Sequence, residues 1–183
     1  GTPLIKNYPP KTYKGAPQIF DLTQDENGIL YFTGVGLTEY DGKTWRKIPP
    51  VGMVSSSITR GNDGRVYVGG TDDLGYLQPD SLGKQTYISL LSLLPEKNRQ
   101  FGQLRQAVVL NQYVFFSSRN GYLIRYNSEK HRVRVWKEEQ EIFTLGVVNQ
   151  RLYIYIKERG LCQLNKEQIG LSPNGDFFEK TPV

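Results

Sequence analysis

The stretch Ile19-Phe20-Asp21-Leu22-Thr23, Gln24-Asp25-Glu26-Asn27-Gly28, Ile29-Leu30-Tyr31-Phe32, Thr33-Gly34-Val35-Gly36-Leu37, Thr38-Glu39-Tyr40-Asp41-Gly42-Lys43-Thr44-Trp45 decides the fold. It reads as an apolar strand, a tight polar turn, a short aromatic strand, a Gly-containing loop and another strand. Asn27-Gly28 offers the positive φ of a two-residue hairpin, and Asp41-Gly42 offers a second one ahead of Thr44-Trp45.

The same phrase recurs three times. Residues 54–60 form the first strand, Asn62-Asp63-Gly64 a turn, Arg65-Val66-Tyr67-Val68 an aromatic strand and Asp73-Leu74-Gly75-Tyr76-Leu77 the continuation. The third copy runs through 105–110, Asn111-Gln112, Tyr113-Val114-Phe115-Phe116 and Asn120-Gly121-Tyr122-Leu123. The fourth runs through 143–148, Asn149-Gln150, Arg151-Leu152-Tyr153-Ile154 and Arg159-Gly160-Leu161. The central aromatics Tyr31, Tyr67, Phe115 and Tyr153 are spaced by 36, 48 and 38 residues, periods that suit a four-stranded antiparallel blade. One such sheet has two apolar faces and buries both only by stacking radially on like sheets. The expectation is an all-β propeller segment of about four blades: an N-terminal arm at 1–16, then blades at 17–50, 51–93, 94–137 and 138–183. The longer second interval is assigned to a long outer connection within 78–99, with a strand end or short helical turn at Leu90-Leu91-Ser92-Leu93-Leu94.

Composition agrees. The chain has 183 residues, with 12 Tyr, 8 Phe, 2 Trp and 19 Gly, while alanine occurs only at positions 16 and 107. That balance favours turn-rich β-structure over helix. The net charge of +5 raises the question of nucleic acid. The densest basic run, Lys130 to Lys137, alternates Arg132 and Arg134 with Val133 and Val135, however, which is the pattern of a half-exposed strand. No helix-turn-helix, zinc-finger or aromatic RNA-binding signature accompanies it, so no nucleic-acid partner is expected. The single cysteine, Cys162, excludes an intrachain disulfide and reads as a small buried side chain. No segment has the roughly 20 apolar residues of a membrane span, and no membrane contact by this segment is expected. The chain begins at Gly1 without a signal-peptide pattern, which fits a trimmed piece or a mature exported protein.

The phrases Gly1-Thr2-Pro3, Asn7-Tyr8-Pro9, Gln24-Asp25, Gly28, Tyr31-Phe32, Gly36-Leu37, Glu39-Tyr40-Asp41-Gly42 and Trp45 resemble the N-terminal repeats of the two-component regulator propeller family. Such repeats form the extracytoplasmic sensor regions of bacterial hybrid histidine kinases and related regulators, common in Bacteroidetes. Gly-Leu followed by Tyr-Asp-Gly and Trp carries the resemblance in the first repeat, and the other three match in layout. The resemblance implies a periplasmic signal-input segment without catalytic activity of its own, part of a larger propeller of seven or more blades. Its partners would be the remaining blades and downstream domains of the same receptor, and a carbohydrate or another small extracellular ligand.

An enzyme reading finds few reactive groups. His131 is the only histidine and lies in the basic strand-like run, so Ser-His-Asp and Cys-His chemistry would both depend on it, and a histidine-based metal site is excluded by count. Asp72-Asp73, in a Gly-flanked loop, is the best carboxylate pair for a lyase or hydrolase, while Asp25, Asp41 and Asp63 are explained by turn chemistry. No catalytic residue, metal ligand or cofactor is assigned. In a propeller, the loops between second and third strands emerge on one rim. Here they would bring Asp72, Asp73, Arg119, Asn120, Glu158 and Arg159 together as candidate ligand-binding residues. A scaffold for protein interaction or homodimerisation stays open beside the sensor reading.

Overall fold

The computed structural model describes residues 6–13, 17–49 and 54–179. Residues 1–5 and 14–16 of the expected arm, the expected boundary at 50 and 51, and residues 180–183 lie outside them. The described chain forms four antiparallel sheets of four strands, each a simple up-and-down meander. The first holds β1 (Asp21–Gln24), β2 (Leu30–Gly34), β3 (Gly36–Tyr40) and β4 (Trp45–Ile48). The second holds β5 (Ser55–Arg60), β6 (Val66–Gly70), β7 (Leu74–Pro79) and β8 (Gln85–Ser89). The third comprises β9 (Leu104–Leu110), β10 (Tyr113–Ser118), β11 (Tyr122–Asn127) and β12 (Arg132–Lys137). The fourth comprises β13 (Ile142–Val148), β14 (Arg151–Ile156), β15 (Gly160–Asn165) and β16 (Gln168–Leu171).

Alternation along the second strands divides the core into three layers between sheets. Tyr31 packs with Ile58, Val66 and Val68, Tyr67 with Leu104, Val114 and Phe116, and Phe115 with Leu145, Leu152 and Ile154. The aligned aromatic of each sheet thus faces the next sheet, and neighbouring aliphatics on the same strand face the previous one, as period-two geometry requires. Tyr31, Tyr67 and Phe115 are at most 2% exposed, whereas Tyr153 on the last sheet is half-buried. Of the aligned aromatics only Tyr153 stays partly exposed, because no described sheet follows the fourth.

The innermost strands are stitched by side chains rather than by a continuous ladder. Asp21 Oδ2 accepts from the Ile58 amide at 3.0 Å, and Gln106 Oε1 accepts from the Leu145 amide at 2.6 Å while its Nε2 donates to the Leu145 carbonyl at 2.9 Å. Asp21 and Gln106 occupy the same register, opposite the residue two places after the aligned aromatic. In the second sheet that register holds Ser57, whose Oγ has no hydrogen-bond partner. The stitch passes instead to Ser56, whose Oγ donates to the Leu104 carbonyl.

Several turns differ from expectation. Residues 25–29 and 61–65 are longer loops, closed by Asp25 N to Ile29 O at 3.0 Å and Gly61 N to Arg65 O at 2.8 Å. Asp25 Oδ1 accepts from the Asn27 and Ile29 amides at 2.9 Å, and this side-chain mimicry of a backbone acceptor lengthens the turn. Asp41 likewise accepts from Lys43 and Thr44 in a four-residue loop. Two-residue connections occur instead at 111–112, 149–150 and 166–167, where Asn111, Asn149, Gln150, Lys166 and Glu167 all have positive φ. The 78–99 stretch is not one long connection. Its first part is the ordinary β7–β8 hairpin; the added length is two single 3-10 turns, Leu91–Leu93 and Glu96–Asn98, which lead into Phe101, fully buried between the second and third sheets.

The arm is not merely extended. A helical turn at Pro10–Tyr13 brings Tyr8 and Tyr13 onto Trp45, with ring centroids 5.3 and 5.4 Å away, and Trp45 stacks on Tyr40 at 4.2 Å. These contacts cover the outer strands on the free face of the first sheet. Leu22, on its innermost strand, stays 58% exposed.

Candidate functional site

The four loops between second and third strands lie at one end of their sheets, laced to the connections between sheets. Val35 bridges to Val54 and Thr71 to Gln103. The connection 138–141 joins the loops on both sides of it: Glu138 N donates to Gly121 O at 2.8 Å, and Lys157 N donates to Glu141 O at 3.0 Å. Gly121 is required there. Its φ is +77°, and a Cβ would sit 2.3 Å from the Glu138 carbonyl oxygen.

The residues singled out in the sequence therefore occupy loops at one end, but most are committed to holding those loops. Asp72, with φ +51°, accepts from the Gly102 amide at 2.6 Å and donates its own amide to the Gly102 carbonyl at 3.1 Å. Asp73 Oδ1 accepts from Leu74 N at 2.8 Å and Ser89 Oγ at 2.6 Å. Arg119 pairs with Glu141 at 2.9 Å, and its guanidinium lies over the Phe143 ring. Arg159 pairs with Glu138 and donates to the Ile169 carbonyl at 2.8 Å. Asn120 lies against Gly102, so the blade-three loop meets the connection between the second and third sheets there. Glu158, exposed and at φ +61°, has only a loose 3.9 Å pairing with Lys157. Asn120 and Glu158 are the two with the fewest structural duties.

The groups weighed for catalysis are similarly engaged. His131 is at a turn with φ +49°, its Nδ1 2.9 Å from the Tyr126 hydroxyl. Cys162 is fully buried against the third sheet, and burial pushes its thiol up. Among the described residues no three His, Cys, Asp or Glu side chains are grouped to hold a metal ion, and no helix is long and apolar enough to cross a membrane. Sequence reasoning missed the inner-strand stitches, because only register reveals that Asp21 and Gln106 are equivalent.

The sequence matches no family model, and comparison with curated proteins finds no match. Solved structures do match in shape. Virginiamycin B lyase from Staphylococcus aureus, in a catalytically inactive form with quinupristin, superposes with a TM-score of 0.64 at 17% identity, covering 88% of this chain and 58% of that one. The extracellular domain of a putative hybrid two-component system from B. thetaiotaomicron gives 0.61 at 15% identity, covering 84% of this chain and 23% of that one. The WD40 domain of Toxoplasma gondii coronin gives 0.63 at 12% identity, covering 81% of this chain and 43% of that one. The chain thus spans from about a quarter to under two thirds of these structures. At such identities the likeness defines the fold, and the fold is a β-propeller: four consecutive blades, with extracellular domains of putative two-component systems among the proteins that share the arrangement.

Proposed function

We propose that the chain is a non-enzymatic signal-input segment of a bacterial extracytoplasmic receptor of the two-component type, in which the loop end of the propeller meets a small extracellular ligand. The observation that carries this reading is the likeness to an extracellular two-component domain together with a loop end whose backbone is held by bonds between blades. A fixed rim costs little ordering on binding and passes a displacement to the neighbouring blade. The non-catalytic part is supported by the duties of Asp72 and Asp73, whose side chains accept from protein donors. The family resemblance points to a carbohydrate as ligand, the periplasm as location, and further blades and an output domain as partners in the same receptor.

A second reading, a scaffold for protein interaction or dimerisation, has its own support in Phe143, Val148 and Phe177, which are 45%, 55% and 71% exposed on or beside the last sheet. The test is a receptor-driven reporter carrying Asn120→Ala and Glu158→Ala. These positions carry little of the fold, so protein level should hold while the response to ligand falls at least ~10-fold. An undiminished response would overturn rim binding, and turnover of a polysaccharide, lactone or peptide by the pure protein, lost on changing Asp72 or Asp73, would overturn the non-catalytic reading.

A further inference from the structure

The basic run Lys130 to Lys137 reads in the sequence as a solvated strand face, and half of it is that. β12 alternates exposed with half-buried residues, and Val133 and Val135 turn toward the second sheet. The other face, turned toward the fourth sheet, is where strand register gathers charge. Arg134 lies directly opposite Arg125 of β11, Arg132 opposite Asn127, and Asn127 in turn opposite Tyr113 of β10. Directly opposed residues share a face, so three arginines, an asparagine and a tyrosine converge. Lys130, in the turn before β12, completes a cleft of about 290 Å³.

The walls of this cleft are fixed. The Arg125 guanidinium is 4.5 Å from the Tyr113 ring centroid and 5.3 Å from that of Trp136, and the Arg134 guanidinium is 5.2 Å from Trp136. The Trp136 indole donates to the Glu167 backbone carbonyl at 2.9 Å, which anchors the platform to the β15–β16 turn. One carboxylate answers this charge: Glu167 contacts Arg125 at 2.7 Å and Arg134 at 3.2 Å. Among the described residues Arg132 and Lys130 have no ion-pair partner. Glu129, in the same turn as Lys130, is exposed and unpaired.

We propose that this cleft on the outer half of the third blade, beside the β15–β16 turn, is a binding site for an oxyanion group, a sulfate, phosphate or carboxylate, with Glu167 as its built-in competitor. An arginine offers five N–H donors in a planar fork suited to such groups, and the recorded bonds of Arg125 use one of them. Burying a flank of Arg125 and Arg134 against aromatic rings orders the donors before a ligand arrives. The site is remote in register from the loop rim, at the opposite ends of β10 and β11 from residues 119–121, so it stands or falls independently of the function proposed above.

Trp136 reports on the cleft. Sulfate, phosphate and acetate, each titrated into the chain against chloride at constant ionic strength, should give a saturable change in tryptophan emission and a rise in Tm with at least one of the three. The order among them tells which oxyanion fits. Arg132→Gln with Arg134→Gln should weaken that response at least ~10-fold. Lys84→Gln with Lys97→Gln, which removes the same charge from another part of the surface, should leave it unchanged. Glu167→Gln should strengthen it several-fold by releasing both guanidinium groups. The proposal is overturned by a response no greater than chloride gives, by equal losses in the two double variants, or by weaker binding in a folded Glu167→Gln protein.

Discussion

Glu39 shows how one residue is set by its place in the repeat. It lies opposite Tyr31 on the face turned toward the second sheet, is 2% exposed, and pairs with Arg46 at 2.7 Å. Burial holds its carboxyl above the usual carboxylate range, and Arg46 offsets only part of that shift. In that window the folded chain binds more protons than the unfolded one, so this stabilisation is full below the ordinary value and is lost as pH rises through the raised one. The Tm of the wild type minus that of Glu39→Gln should therefore decline as pH rises above the ordinary glutamate value of about 4.3. A difference that stays flat or grows would mean that the ion pair, not burial, governs the site. The neighbouring Tyr31 and Tyr67 hydroxyls are spent on Asp25 and Asp63 at 3.1 and 2.7 Å. In the third copy both partners change together, to Asn111 and Phe115.

At the scale of elements, inter-blade cohesion combines apolar layers with the few polar stitches along the innermost strands. Gln106 is the most engaged of these: its amide satisfies both the N–H and the C=O of Leu145 and accepts from the Thr144 hydroxyl at 3.1 Å. Leucine at this position would keep the volume but strand two backbone groups at the blade interface. Gln106→Leu should cost about 2 kcal/mol, since unmade buried hydrogen bonds cost about 1–3 kcal/mol. Chemical denaturation measures the loss, and hydrogen exchange should show faster exchange of the Leu145 amide. A neutral substitution would mean that the stitch contributes no net stability.

For the whole molecule, the two end sheets matter most. The first has Ile19, Phe20 and Leu22 at 44%, 43% and 58% exposure, and the last has Phe143 and Val148 in a similar state, with Phe177 beside it. These are the surfaces that interior blades cover, and apolar patches of this kind drive association. Residues 1–183 alone should therefore be dimeric or aggregation-prone by light scattering, and a longer chain that completes the ring should be better behaved. A compact monomer of 20.9 kDa would mean instead that the arm and the last turn shield these ends well enough.

The repeat, its all-β character and the choice of buried aromatics were legible in the chain because each copy folds by local alternation and turn chemistry, and local rules survive translation from copy to copy. Even there the turns at Asp25 and Asp41 misled, since an aspartate that caps amides lengthens a loop whose Asp-Gly or Asn-Gly pair reads as two residues. Which face meets which neighbour was decided only in three dimensions. Tyr31 and Tyr153 occupy equivalent places in the repeat, yet one is buried and the other half-exposed, because burial depends on the sheet that follows. Arg125, Arg132 and Arg134 came together through the pairing of β11 with β12: their proximity is a property of register between strands, which appears only once the strands are paired.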